Sequence, residues 1–148
     1  MGFSLWGAVI SVAVLAPNLL LLAFPPRRPL PSAHVPWPLT ALERAGQALC
    51  LVIPAITEPG SVAPGWAILA IAALGGYLAL WLRYLLRGRN GADLYRSLWF
   101  LPVPMAVLPV VTFLATAAWL ANPWIAASAV VLAVGHIPAS IILARAAR

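Results

Sequence analysis

The sequence predicts an all-α, polytopic membrane helix bundle of five transmembrane helices, with the N-terminus outside and the C-terminus in the cytoplasm. Composition is the first reason. Of 148 residues, 64% are hydrophobic and 8% charged, whereas a soluble domain carries about 25% charged residues. Such a chain cannot cover its surface with polar groups in water. The second reason is that the apolar residues fall into five runs separated by prolines, glycines or arginines. The third is that every basic residue is an arginine, and five crossings bring all nine to one side.

A crossing helix needs roughly 20 apolar residues for a ~30 Å hydrocarbon core. Residues 3–24 supply the first and end at Pro25-Pro26. No positive n-region precedes this run, so it reads as a retained span rather than a signal peptide. Residues 39–56 form the shortest and most polar span. Residues 65–86 are apolar up to Arg83, and 97–121 are long and proline-rich. Residues 123–144 complete the set, with Pro123 in the first turn, where a missing N–H does no harm.

The charges require the second span. Arg27, Arg28 and Arg44 flank one loop, Arg83, Arg87, Arg89 and Arg96 another, and Arg145 and Arg148 close the chain. If 39–56 did not cross, the first two groups would lie on opposite faces. With five crossings they share the cytoplasmic side, as the positive-inside rule demands. The aromatic residues give the same frame, with Trp6, Trp66, Trp119 and Trp124 at the outer boundary. Trp37, Trp81, Trp99, Tyr84 and Tyr95 are expected at the inner one. The loop from Pro25 to Pro38 holds six prolines in fourteen residues and should be a stiff connector. Small residues at Ala72 and Gly76, and at Ala129 and Ala133, offer close helix contacts.

Polar residues inside spans are costly and mark candidate sites. Glu43, Gln47, Cys50, Pro54 and Thr57 share one helical face, as do Ser4, Ser11 and Asn18 in the first span. His136 and Ser140 are i, i+4 neighbours in the fifth. On a rise of about 1.5 Å per residue, Asn18, Glu43, Gln47 and His136 fall roughly 6–12 Å inside the arginine-bearing boundary. Arg83 and Arg96 lie at its edge. Asn18, Glu43, Gln47, Arg83, Arg96, His136 and Ser140 therefore form the candidate ligand-binding set, and Glu43 and His136 the candidate catalytic pair. The same residues also fit a packing network, with Glu43 paired to Arg83 or Arg96 and His136 satisfying the carbonyl freed by Pro138. Pro102-Val103-Pro104 is dense enough in proline to predict local unwinding of the fourth span.

A positive balance of +6 does not indicate nucleic acid, because the arginines are spread along span ends rather than gathered on one solvated face. Contact with anionic lipids accounts for them. The single Cys50 gives no disulfide and no cysteine metal site, and two histidines, His34 and His136, do not make one. No phosphate-binding glycine loop, serine elbow or zinc-helix spacing is present. No metal and no cofactor are therefore expected.

Several strings resemble those of small, uncharacterised multi-pass membrane proteins of bacteria. They are Phe24-Pro25-Pro26, Leu42-Glu43-Arg44-Ala45-Gly46-Gln47, Arg83-Tyr84, Pro102-Val103-Pro104-Met105-Ala106-Val107 and Gly135-His136. The resemblance spans most of the chain and implies a bacterial inner-membrane setting, with no activity to transfer. The expected function is binding or carriage of a small hydrophobic or amphipathic molecule in a polar pocket of the cytoplasmic half. Two alternatives stand beside it. One is an enzyme acting on a membrane-embedded isoprenoid or lipid by Glu43/His136 acid–base chemistry. The other is a structural subunit of a larger membrane complex, with homo-oligomers or partner proteins in the same membrane.

Overall fold

The computed structural model describes residues 2–28, 30–98 and 101–147. The inner-belt position expected for Trp99 and the terminal charge of Arg148 lie outside the described residues. The chain is all-helical, and no strand element occurs among the described residues. Helix α1 runs Leu5–Ala23, α2 Trp37–Ile56, α3 Gly65–Leu86, α4 Pro104–Trp119 and α5 Pro123–Ala146. Four of these (α1, α2, α3 and α5) are long and apolar enough to cross a membrane. The fourth in order, α4, is shorter, at 16 residues.

The prolines explain where helices bend, start or stop. Pro17 removes an amide that the α-helix would use, and Ala16–Leu19 tightens to a 3-10 turn within α1. Helix α2 begins at Trp37, two residues before the expected start, because Pro38 stands in the first turn where proline is tolerated. The largest departure from expectation is the fourth span, which is helical only from Pro104 rather than from residue 97. Pro104 disfavours the right-handed helical conformation at the residue before it. Val103 accordingly sits in the left-handed region, at φ 42° and ψ 58°.

The five helices alternate in direction and form a ring in the order α1, α2, α5, α4, α3, with α2 on α5 the most extensive contact. At one end, Gly2 and Ser4 amides donate to the Ile56 and Ala55 carbonyls, and Gly60 and Ala63 amides to Leu120 and Trp119. Trp6 and Trp119 rings meet there at 5.6 Å. At the other end the Arg27 amide donates to the Arg89 carbonyl, and the Tyr84 hydroxyl donates to the Phe24 carbonyl at 2.9 Å. The two arginine-bearing loops are thus fastened together at a single end of the bundle.

Backbone-to-backbone crossings occur at glycines outside the expected Ala72/Gly76 and Ala129/Ala133 pairs. Ala72 faces outward, and Ala129 is fully buried. A Cβ on Gly46 would stand 2.4 Å from the Leu132 Cα, and one on Gly135 would stand 2.3 Å from the Glu43 nitrogen. Helices α2 and α5 therefore touch backbone to backbone. Gly7 brings α1 equally close to the Pro54 carbonyl of α2, and the Ser11 hydroxyl donates to the Cys50 carbonyl at 2.7 Å across the same pair.

The turn end is organised by Asn122. Its Oδ1 accepts from the Trp124 and Ile125 amides, capping α5. Its Nδ2 donates to Thr57 Oγ1 at 2.8 Å and to the Glu58 carbonyl at 3.3 Å. A cap and a buried hydrogen bond each contribute about 1 kcal/mol. Asn122→Ala is therefore expected to destabilise the bundle by about 2 kcal/mol, measured by denaturant unfolding in mixed micelles, with Asn122→Asp recovering the cap portion.

Candidate functional site

At the centre of the ring is a cavity of about 130 Å³, lined by all five helices and by the segments just before α4. Apolar cavities near 150 Å³ accept a benzene-sized ring, so the space suits a small head group. Its polar wall comes from α2 and α5. Glu43 and Gln47 are one helical turn apart on α2, and His136 and Ser140 one turn apart on α5. The glycine crossing sets their separation: Gly135, next to His136, presses on the backbone of Glu43 itself. His136 Nδ1 consequently lies 2.6 Å from Glu43 Oε1, with the two side chains 22% and 24% exposed. One proton lies between Nδ1 and Oε1 in this contact, and Nε2 is left for another partner.

The opposite wall is aromatic. Tyr77, Trp81 and Tyr84 recur at i, i+4 and i+7 on α3, and successive rings meet edge to face at 6.3 and 5.8 Å. Trp81 and Tyr84 are 3% and 1% exposed. They are interior residues, correcting their expected place in the inner aromatic belt. The spacing that turns them inward was present in the sequence, continuing the buried Ala70 and Ala73. Trp81 Nε1 is buried without a hydrogen-bond acceptor among the described residues. Tyr77 also lines the cavity, beside Trp81 and Asn18. Tyr95, just beyond the 3-10 turn Gly91–Leu94, reaches the same space. Burial and the neighbouring Glu43 carboxylate push its phenol up, so it keeps its proton and remains a donor.

The floor is the broken start of the fourth span, where Val103, Met105 and Ala106 line the cavity. Left-handed backbone at a β-branched residue costs on the order of 1–3 kcal/mol, and such strain gathers at ligand sites. Non-helical backbone at this depth is tolerated where protein buries it or where it edges a cavity.

Of the seven ligand-binding candidates, the structure brings five to the cavity: Asn18, Glu43, Gln47, His136 and Ser140. Arg83 and Arg96 are not among its lining residues. The Arg83 guanidinium is 3.5 Å from the Asp93 carbonyl, and Arg96 faces outward. Glu43 is paired with His136 rather than with either arginine, and that pair, not the carbonyl freed by Pro138, engages the His136 ring. Asn18 is the outermost of the five, donating to the Leu15 carbonyl at 3.2 Å. Beyond it, Ala16–Ala23 of α1 contributes no buried residue. Among the described residues no group of three or more His, Cys, Asp or Glu could hold a metal ion.

The fold and site together define a helical bundle with membrane-capable helices around a small, polar-walled internal cavity. No family model, curated protein or solved structure matches the chain.

Proposed function

We propose that this is a five-span inner-membrane protein that binds or carries a small amphipathic molecule, held in the central cavity with its polar end against Glu43 and His136. The observation that carries the reading is the convergence of the α2 and α5 polar pairs on one cavity, 2.6 Å apart at their nearest atoms. A pair made only for packing would not need an open space beside it.

The five-span topology rests on the joined loops. Arg27 and Arg28 stand beside Arg89 and Asn90 at one end of the bundle, so the positive-inside rule assigns that end to the cytoplasm and the N-terminus to the outside. Helix α4 covers about 24 Å at 1.5 Å per residue, short of a full crossing. The outer half of the proposed entry route is the loosely packed stretch Ala16–Ala23, through which a lipid-dissolved molecule would reach Asn18 and then the pair. The bacterial setting follows from the resemblance of the quoted strings.

A Glu43→Gln, His136→Ala double variant should fold and lose an amphipathic molecule that native mass spectrometry finds on the unaltered chain. Retention of every such molecule would sink the proposal. One geometric feature favours acid–base catalysis as the second reading: Glu43 reaches both a histidine nitrogen and the cavity, as a proton-transfer pair must. In that case Glu43→Gln would keep the bound molecule and stop its conversion.

A further inference from the structure

The two halves of α1 are held in different ways. The outer half is fixed to α2: Gly7 meets the Pro54 carbonyl, the Ser11 hydroxyl donates to the Cys50 carbonyl, and Ile10 and Val14 are buried. The inner half, Ala16–Ala23, buries no residue and packs extensively against no other helix. Leu20 and Leu21 lean on the edge of the core and give it an apolar seat. Between the halves lies the 3-10 turn at Pro17. Such a turn inside a helix often marks a hinge, and proline removes a hydrogen bond that would resist bending. A segment with few buried contacts opens at low cost.

This half stands where access to the cavity is decided. In the ring, α1 separates α2 from α3, and Asn18 and Leu21 supply its inner part of the cavity wall. The far end of the segment is clasped. Phe24 leaves the helix, and Pro25 and Pro26 bring no amides to its carbonyl. The buried Tyr84 hydroxyl reaches across from α3 and donates to that carbonyl at 2.9 Å. The Arg27 amide, bonded to the Arg89 carbonyl, completes the clasp. The Phe24 ring faces outward, so hydrogen bonds rather than packing hold this end. We propose that Ala16–Phe24 is a lateral gate, which swings on the Pro17 turn to open the cavity between α2 and α3 and is latched by Tyr84 on the Phe24 carbonyl. This rests on the binding reading above and names how access to that site is controlled. Tyr84 does not line the cavity; it is a positioning residue.

Met105→Cys puts a thiol on the cavity floor. Its reaction with N-cyclohexylmaleimide, an uncharged reagent that dissolves in lipid, is timed on the full chain in lipid nanodiscs. The unaltered chain, whose Cys50 is buried, is the blank. Tyr84→Phe should speed the reaction about three- to ten-fold, the population shift that one hydrogen bond supplies. Pro17→Ala restores an amide bond that bending must break and should slow it about three-fold or more. Ser11→Ala removes one hydrogen bond from the fixed half and should change the rate by less than about two-fold, since distant sites act independently. General loosening would instead speed all three. Rates unchanged by Tyr84→Phe and Pro17→Ala, or raised as much by Ser11→Ala as by Tyr84→Phe, overturn the gate and leave the cavity reading standing. A thiol that reacts in the unfolded chain but in no folded one overturns both. Should Tyr84→Phe not fold, electron–electron distances between spin labels decide, attached through Leu22→Cys and Leu86→Cys at outward-facing positions. Two distances are expected there, against one for the outward-facing pair Val9→Cys and Ile71→Cys, which includes the fixed half of α1. A single Leu22–Leu86 distance overturns the gate.

Discussion

Gly135→Ala should be among the most damaging single methyls that can be added to this protein. The new Cβ would lie 2.3 Å from the Glu43 nitrogen, 2.7 Å from the Leu42 carbonyl carbon and 2.8 Å from the Glu43 Cα. All three are backbone atoms of a facing helix, so no rotamer change relieves the clash, and α2 and α5 must separate. Overpacking by a methylene costs typically 1–3 kcal/mol where side chains can give way. Here the cost should reach at least about 3 kcal/mol, because the whole α2–α5 contact loosens. Gly46→Ala meets the Leu132 backbone at 2.4 Å and should behave alike, and the double variant should not fold. Gly75→Ala is the control, since nothing lies within 4 Å of its Cβ. Alanine there should be neutral or stabilise by about 0.5–1 kcal/mol on helix propensity. Unfolding in mixed micelles, followed by circular dichroism, reads all four. A Gly135→Ala protein as stable as Gly75→Ala would mean that the helices do not cross as closely as described.

That crossing also shows what was legible in the sequence. Helix existence was, because long apolar runs bounded by prolines and arginines leave little alternative for a backbone that must satisfy its own hydrogen bonds in lipid. The polar stripe of α2 was legible too: Cys50, Pro54 and Thr57 are buried, and Glu43 and Gln47 face the cavity. The partner of Glu43 was not. Periodicity states which face of a helix is polar but not which helix stands opposite, and charge alone favours arginine over histidine. Gly46 and Gly135 decide the matter by letting two backbones meet at one level, and the Gly135-xxx-Ala139 spacing that marks one of them is hard to tell from the many small-residue spacings of an alanine-rich chain. Trp81 was misplaced for a related reason. Its depth along α3 fits a membrane boundary, but the i, i+4, i+7 series with Tyr77 and Tyr84 turns it inward. Arg83 and Arg96 share the level of the site without sharing its direction. Level follows from residue count, whereas direction depends on helix rotation, which only packing fixes.

Separating Glu43 from His136 should have the second largest effect, and its pattern distinguishes a binder from an enzyme. Breaking a fully buried ion pair costs about 3–5 kcal/mol because one charge is left unpaired. These side chains remain 22% and 24% exposed toward the cavity, so water screens the orphan and about 1–2 kcal/mol is the expected cost of His136→Ala. Glu43→Gln keeps the shape and a hydrogen-bonding oxygen and should cost less than about 1 kcal/mol. The double variant should be no less stable than His136→Ala alone, because the carboxylate that lost its partner is gone as well. That non-additivity is the signature of a direct contact, and strictly additive losses would mean that the two side chains do not meet. Ligand retention then separates the two readings. A carrier uses the pair as a fixed wall, so His136→Ala should release the bound molecule at least as completely as Glu43→Gln. An enzyme uses it to move a proton between Glu43 and His136, so Glu43→Gln should hold the molecule unconverted. In either case the pair works only because Gly135 places His136 beside the α2 backbone. A Gly135→Ala protein rescued by lipid or low temperature should therefore lose the molecule even with Glu43 and His136 both intact.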